Sequence, residues 1–449
     1  MGSWYTIYRW GSFGLFATGC LPWIAHSLIG TSSRKQLPDR LGRYPFRRSF
    51  PSGPLIWMHA ASMGEMAVAE SIVAALKRLD PDIHIVLSAM TPHGLRHGAD
   101  RMPQQGVSLF QAPLDVVPFV ATALDRIRPD LLVFLETELW PNWIVEASKR
   151  GIPIALLNGR ISARSIGRYH RIRPLMADIL SRIDWFSMIH ATDADRIASL
   201  GAPGNRIVVN GNAKYDRLCD RADRSKLPDM RAASGIVDGS PVFLAGSLRG
   251  NEPVMLIDTY RRLKNRIPEL RMILAPRHLR RIPQIVSVLN DRRIRFVRKT
   301  FLDKRQLDPT VPWEVLLLDT MGDLFDAYGL ADVVFCGGSF VPTGGQNVME
   351  PAAWAKPVLY GPHMEDFLDA KQLLENAGGG LTVVDEHALH YHALRLLLFP
   401  DEARQMGLCG RSALQQHQGA SERHAAGLMA ILACTTKGDA HAGAAACSR

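Results

Sequence analysis

Short continuous apolar runs recur along this chain, each closed by glycine or polar residues and followed by stretches in which apolar positions return every three or four residues. Residues 54–59, 83–88, 131–135, 154–157 and 207–209 read as strands buried on both faces, and 66–78 as an amphipathic helix between the first two. That is a βαβ opening. A second series of strands is predicted at 242–245, 272–275, 315–318, 333–336 and 358–360. Between the series, residues 219–240 are charged and rich in small polar residues, with no sustained apolar pattern. The pattern therefore predicts an α/β protein with two doubly wound, Rossmann-like domains. Such sheets take ligands at the carboxyl ends of their strands, so two in tandem would enclose a cleft. The expected organisation is an N-terminal anchor over 1–33, a first domain over 34–222, a linker over 223–240, a second domain over 241–435 and a loose tail over 436–449.

One segment departs from the globular pattern. Residues 10–33 contain no Asp, Glu, Lys or Arg, long enough for a helix to reach across a bilayer core, yet Pro22, His26 and several Gly and Ser make them only moderately apolar. A spanning helix, an interfacial anchor and a buried core helix all fit. Arg34, Lys35, Arg40, Arg43, Arg47 and Arg48 follow, against Asp39 alone, which places that flank on the cytoplasmic side. A net charge of +10 calls for an anionic partner, and basic residues beside an apolar segment favour lipid head groups. No element interleaves aromatic and basic residues as nucleic-acid binding would want. With 47 % hydrophobic and 21 % charged residues, the chain is neither disordered nor a polytopic membrane protein. Six cysteines without a C-x-x-C pair indicate a reduced compartment, and the pair His93 and His97 lacks a third ligand, so no metal site is expected.

Candidate chemistry gathers at predicted strand ends. Gly337 and Gly338 follow the strand at 333–336, and Gly344 and Gly345 lead into Asn347, Glu350 and Pro351, which resemble the start of a helix. Amides there suit a phosphate, and Glu350 suits two ribose hydroxyls. The same spacing fits a capping box, Asn347 reaching the amide of Glu350 and Glu350 reaching back. In HAASMGE, Ser62 and Gly64 form a strand-to-helix turn with Glu65 at the helix start, which again fits both a capping box and a base held ionised by the helix terminus. A positioned general base is typically worth about 10² to 10⁴ in rate. Glu136 and Glu138 leave an apolar strand and need partners, for which Arg160, Arg164 and Arg168 are candidates, as they are for an anionic substrate. Lys214 lies in a loop before the linker. Arg277 follows Pro276, Ser247 and Arg249 follow 242–245, and Met321 and Gly322 offer amides to a nucleobase.

RLGRYP, HAASMGE, ETELWPN, NGRISARS, GNAKYD, APRH, DTMGDL and GGQNVMEPAAWAKPVLYGPH occur in that order over residues 34–370. Together they resemble the Kdo transferases, membrane-associated enzymes of lipopolysaccharide synthesis. These move 3-deoxy-D-manno-octulosonic acid (Kdo) from CMP-Kdo to a lipid A precursor. The resemblance implies a GT-B fold, an inverting transfer without metal or cofactor, and a place on the cytoplasmic face of the inner membrane. It also implies Glu65 as the base, Glu136 and Lys214 supporting the transition state, and CMP held by Pro276, Arg277, Met321, Gly322, Asp323, Asn347, Val348, Met349 and Glu350. Ser62, Gly64, Arg160, Arg164, Ser247, Arg249, Gly338 and Gln346 are candidates for further donor or acceptor contacts. Gln346 stands where the family often has His, and SLRGNE where it often has T-H-E-G-E-E, which implies altered nucleotide contacts. Another GT-B nucleotide-sugar transferase or epimerase, and a non-catalytic lipid-binding module of the same fold, remain open.

Overall fold

Every predicted strand forms, and the strands build two seven-stranded parallel sheets in a computed structural model that describes residues 2–29, 37–44, 53–91, 94–96, 98, 102, 107–237, 239–303 and 313–436. The first sheet contains β1 (Leu55–His59), β2 (His84–Ala89), β3 (Val107–Gln111), β4 (Leu131–Leu135), β5 (Ile154–Gly159), β6 (Trp185–Met188) and β7 (Ile207–Val209), in the order β3-β2-β1-β4-β5-β6-β7. The second contains β8 (Val242–Leu248), β9 (Arg271–Pro276), β10 (Phe296–Arg298), β11 (Val315–Leu317), β12 (Val333–Cys336), β13 (Val358–Tyr360) and β14 (Gly380–Thr382), ordered β10-β11-β9-β8-β12-β13-β14.

Period-two alternation explains the layers. Trp57, Phe134 and Phe186 face one core of the first sheet, whereas Ile56, Met58, Val133 and Leu135 face the other, so β1 and β4 are fully buried and read as unbroken apolar runs. The strand order reverses between β1 and β4 in one sheet and between β8 and β12 in the other. Such points leave a crevice at the carboxyl ends of the strands, and the candidate residues cluster there.

The domain boundaries differ from those expected. One compact unit holds the described residues up to Asp216 together with those from Gln418 onward; the other is Arg217–His417. Residues 223–240 are no free linker, because they carry the helix Leu227–Ala233 and Arg224 donates to the carbonyl of Trp354 within the second unit. Residues 418–435 leave the second unit because the helix Ala420–Thr436 buries Ala425, Leu428 and Leu432 against the core beneath β1 and β4. Asp216 caps that helix, accepting from the amides of Ala420 (3.1 Å) and Ser421 (2.6 Å), and His424 Nδ1 lies 2.8 Å from Ser187 Oγ. The expected tail beyond 436 lies outside the described residues.

At the N-terminus Ser3–Ile29 is one helix. Tyr5, fully buried, donates to Asn142 Oδ1 (3.0 Å), Tyr8 donates to Asp115 (2.7 Å), and Phe16 meets Phe119 edge-on. One stripe of this helix is thus part of the first unit. Trp4, Ile7, Trp10, Phe13 and Leu15 are left exposed. No described helix is long and apolar enough to cross a membrane. Arg34, Lys35, Arg47, Arg48, His93 and His97 lie outside the described residues.

Candidate active site

The first unit gathers three carboxyls and a lysine at the ends of β1, β4 and β7. After β1 the chain turns through Ala60 and Ala61 into the helix Met63–Leu79, capped by Ser62. Ser62 Oγ accepts from the amide of Glu65 (3.3 Å) and donates to Glu65 Oε1 (3.0 Å), while Glu65 Oε2 accepts from the amide of Ala61. The capping box therefore forms, with Glu65 reaching one residue further back than the usual pattern. These bonds favour the anion, yet burial together with Glu136 and Glu138 raises the Glu65 carboxyl to about 7. The expected effect of the helix terminus is reversed, because Glu65 is only 8 % exposed and two carboxylates face it.

Glu136 sits just past β4 with φ 55°, a left-handed conformation rare for a non-glycine residue. That twist turns its carboxylate to Lys214 Nζ, with which it forms an ion pair. Lys214 lies on a short turn, Ala213–Tyr215, fastened by Asn158 Oδ1 to the amide of Ala213 (2.9 Å) and by Asn212 Oδ1 to that of Lys214 (3.1 Å). A Cβ at Gly64 would lie 4.0 Å from Lys214 Nζ, so the lysine borders the Glu65 turn.

Glu138 accepts from Trp140 Nε1 (2.7 Å) and lies 4.0 Å from Nε2 of His59. Burial raises the Glu138 carboxyl and pushes the His59 imidazole down to about 3, so His59 is neutral. Among the described residues, Glu136 thus pairs with Lys214, and Glu138 with Trp140 beside His59. Arg168 is exposed on the helix Ala163–Arg171, Arg160 is half-buried, and the side chain of Arg164 lies outside the described residues.

In the second unit the candidate residues surround the ends of β8, β9, β11 and β12. Gly338 (φ 68°) begins a loop in which its carbonyl accepts from the amide of Gly345 (2.9 Å) and from Thr343 Oγ1 (2.9 Å). The amides that open this loop are filled from within the chain. Glu252 accepts from the amides of Gly338 (2.7 Å), Ser339 (3.0 Å), Phe340 (2.9 Å) and Arg249 (2.7 Å).

Arg249 packs beside Gly338 and Gln346, since a Cβ on Gly338 would lie 3.4 Å from Arg249 Cδ and 3.5 Å from Gln346 Cγ. Ser247, at φ 58°, is 9 % exposed and bonds to Tyr328. Pro276 closes β9, and the amide of Arg277 is held by the carbonyl of Leu248 (3.0 Å) while its side chain is exposed. The imidazole of His278 is lowered by desolvation and by Arg280, Arg249, Arg277 and Arg281, the mark of a strongly positive surface. Met321 and Gly322 (φ 104°) are exposed, and Asp323 accepts from Thr320 Oγ1.

Asn347 does not cap Glu350 as the box would require. Its Oδ1 accepts from the amide of Met349 (3.1 Å) and its Nδ2 donates to Glu350 Oε1 (3.4 Å), while Val348 and Met349 are buried. The half-buried Glu350 carboxyl is raised by burial, against which Arg221, Asn347 and Arg277 pull it down. Arg221 itself lies over the ring of Phe325, 4.0 Å from its centroid.

Sequence reasoning missed His59, Arg221 and the role of Glu252. His59 adjoins the strand-to-helix turn and was open to notice as a polar residue ending an apolar strand. No local signal marked Arg221, which the expected boundary assigned to the other domain.

Residues 35–217 match the family described as 3-deoxy-D-manno-octulosonic-acid transferase (kdotransferase). The 3-deoxy-D-manno-octulosonic acid transferase of Haemophilus influenzae is 31 % identical over 87 % of this chain and 90 % of its own length. The chain belongs to the Kdo transferase family. That of Bordetella pertussis is 30 % identical over 86 % of this chain and 89 % of its own. Among solved structures, UDP-GlcNAc 2-epimerase from Neisseria meningitidis (15 % identical, TM-score 0.61, 84 % of this chain and 99 % of that one) and a glycosyltransferase from Rickettsia africae (12 %, TM-score 0.59, 86 % and 99 %) share the fold of two parallel-sheet α/β domains. As a Kdo transferase family member the chain is a glycosyltransferase.

Proposed function

We propose that this family member transfers Kdo from CMP-Kdo to the lipid A precursor as an inverting GT-B enzyme, with Glu65 as general base. The observation that carries the base assignment is a carboxyl at the head of a helix, nearly buried, with its pKa raised to about 7. A base with that pKa is half ionised at neutral pH and strong enough to take a hydroxyl proton in the transition state. In the step proposed, the acceptor hydroxyl gives its proton to Glu65 and its oxygen bonds to the anomeric carbon. The bond from that carbon to the CMP phosphate breaks, and its electron pair leaves with CMP.

Oxocarbenium character on the sugar and growing charge on the phosphate both need electrostatic support. Lys214, fixed by Glu136, is the cation proposed for the Kdo carboxylate. Arg277 and Arg249 are proposed for the phosphate, and Glu350 with Asn347 for the ribose. The exposed amide of Gly322 beside Met321 suits the base, with Asp323, Val348, Met349 and Pro276 forming the framework. Ser62, Gly64, Gln346, Ser247 and Arg160 are proposed as neighbouring contacts. The reaction is proposed to run without a metal.

The exposed aromatic and aliphatic stripe of the N-terminal helix supports an interfacial anchor on the cytoplasmic face of the inner membrane, aided by the exposed Arg43. Helices of this kind lie in the head-group plane rather than across it.

The test is CMP release from CMP-Kdo by detergent-solubilised enzyme with a tetraacylated lipid A precursor, with products resolved by mass and a chelator control. Acceptor-dependent release with a Kdo mass increment, unaffected by chelator, is expected. Release that stops with chelator would overturn the metal-free step, and turnover by Glu65→Gln at the parent rate would overturn the base.

A further inference from the structure

Glu252 is 2 % exposed, and its two carboxylate oxygens accept hydrogen bonds from four main-chain amides drawn from two loops. Oε2 takes those of Arg249 and Gly338, and Oε1 those of Ser339 and Phe340. A cluster of convergent amides after a glycine at positive φ is the arrangement by which many proteins hold phosphate or carboxylate ligands. Here the anion comes from the chain. Space confirms the fit, because a Cβ on Gly337 would lie 2.9 Å from Glu252 Oε2 and 2.7 Å from Leu248 Cδ2.

We infer that Glu252 is a built-in anion that fills the amide nest of the glycine loop, positions Arg249 and that loop together, and thereby leaves the donor phosphate to guanidinium side chains. The loops it joins carry both flanks of the proposed nucleotide surface: Arg249 on one, and Gly338 through Gln346 to Asn347 on the other. The Glu252 side chain cannot move away without losing these bonds. Arg249 lies against Gly338, so a displaced loop displaces the guanidinium. Glu252 is on this account a positioning residue for donor binding, acting through Arg249 and the loop rather than by touching the donor. The inference rests on the reading of the second unit as the CMP-Kdo site.

Three variants of the full chain test it. Glu252→Ala empties the nest, and formate or acetate is expected to refill it. A rise in thermal midpoint with formate, absent with chloride and absent in the parent, is the direct signature. The same variant is expected to raise KM for CMP-Kdo by about tenfold or more while kcat at saturating donor stays within about threefold, with formate recovering most of the loss. Glu252→Gln keeps the side-chain volume but sets an amide NH₂ against amide donors. It is expected to fold and to raise KM without responding to formate, which keeps the test decisive if the alanine variant does not fold. Arg249→Ala is expected to raise KM in the parent background and to add little in Glu252→Ala, because the two act through one path.

An alanine variant in which formate does no more than chloride would overturn the nest. A glutamine variant with the parent's KM would overturn the positioning role. Formate stabilisation with donor KM unchanged would overturn the link to the donor, a failure of the nucleotide-site reading that the thermal measurement distinguishes from failure of the nest.

Discussion

Glu65 carries opposing influences on one carboxyl. Two hydrogen bonds from its own turn favour the anion, whereas burial and two neighbouring carboxylates oppose it and win. The sign of two measurements follows. Activity that needs the anion rises with pH through an acid limb near 7, and Glu65→Gln is expected to lower kcat by about 10² to 10⁴. Stability moves the other way, because the folded state binds a proton more tightly than the unfolded chain. Its contribution is greatest below pH 4.5 and falls as pH rises towards about 7. Glu65→Gln is therefore expected to stabilise the protein by roughly 1 to 2 kcal/mol at pH 8 and by little at pH 4, read from thermal midpoints. At Lys214 the expectation differs. Lys214→Ala leaves Glu136 without its ion-pair partner, and a loss of about 10² or more in kcat is expected with the fold retained, by circular dichroism.

At the scale of elements, sequence and structure agree where periodicity was strong. The all-apolar strands β1, β4 and β12 were legible because both faces of each are covered. The strands β3, β6, β10 and β14 were not. Their runs are broken by polar residues or glycine: Ser108 and Gln111 in β3, Ser187 in β6, Arg298 in β10, and Gly380 and Thr382 in β14. The equally short β7, β11 and β13 are wholly apolar and could be read.

The turn at Glu65 was legible as two functions at once, and the structure makes it both a cap and a buried acid. At Asn347 and Glu350 the geometry differs from the predicted cap, since an Asx-type bond to Met349 replaces it. The N-terminal helix shows the same division. Its charge-free stretch was plain, but the stripe that buries Tyr5 required the facing surface of Asn142 and Asp115 to be known. Its exposed stripe yields a prediction by vesicle flotation. The parent is expected to float with vesicles rich in anionic lipid, and Trp10→Ser with Phe13→Ser to lose most of that binding while its thermal midpoint holds.

For the whole molecule, family membership was legible because most of its signature segments lie at the carboxyl ends of strands in the two sheets. The limits of the units were not, for a physical reason. The helix Ala420–Thr436 follows the second unit in sequence, yet its apolar face matches the core of the first. Gly427 permits the approach, since a Cβ there would stand 2.1 Å from Cη2 of Trp185. Gly427→Ala is expected to destabilise the protein by about 1 to 3 kcal/mol in thermal or urea denaturation, whereas Gly14→Ala, with nothing within 4 Å, is expected to be neutral or slightly stabilising.

That returning helix also sets a clock on biosynthesis. Ser187 and its partner His424 are 237 positions apart, and at about 5 to 20 residues per second a ribosome needs roughly ten seconds to nearly a minute to span that gap. Through that interval the nascent first unit presents an uncovered apolar groove beneath β1 and β4, a surface that a holding chaperone would recognise. The second unit, Arg217–His417, is one continuous stretch of chain. Synthesis order and completion order are therefore inverted: the unit translated first is the one sealed last.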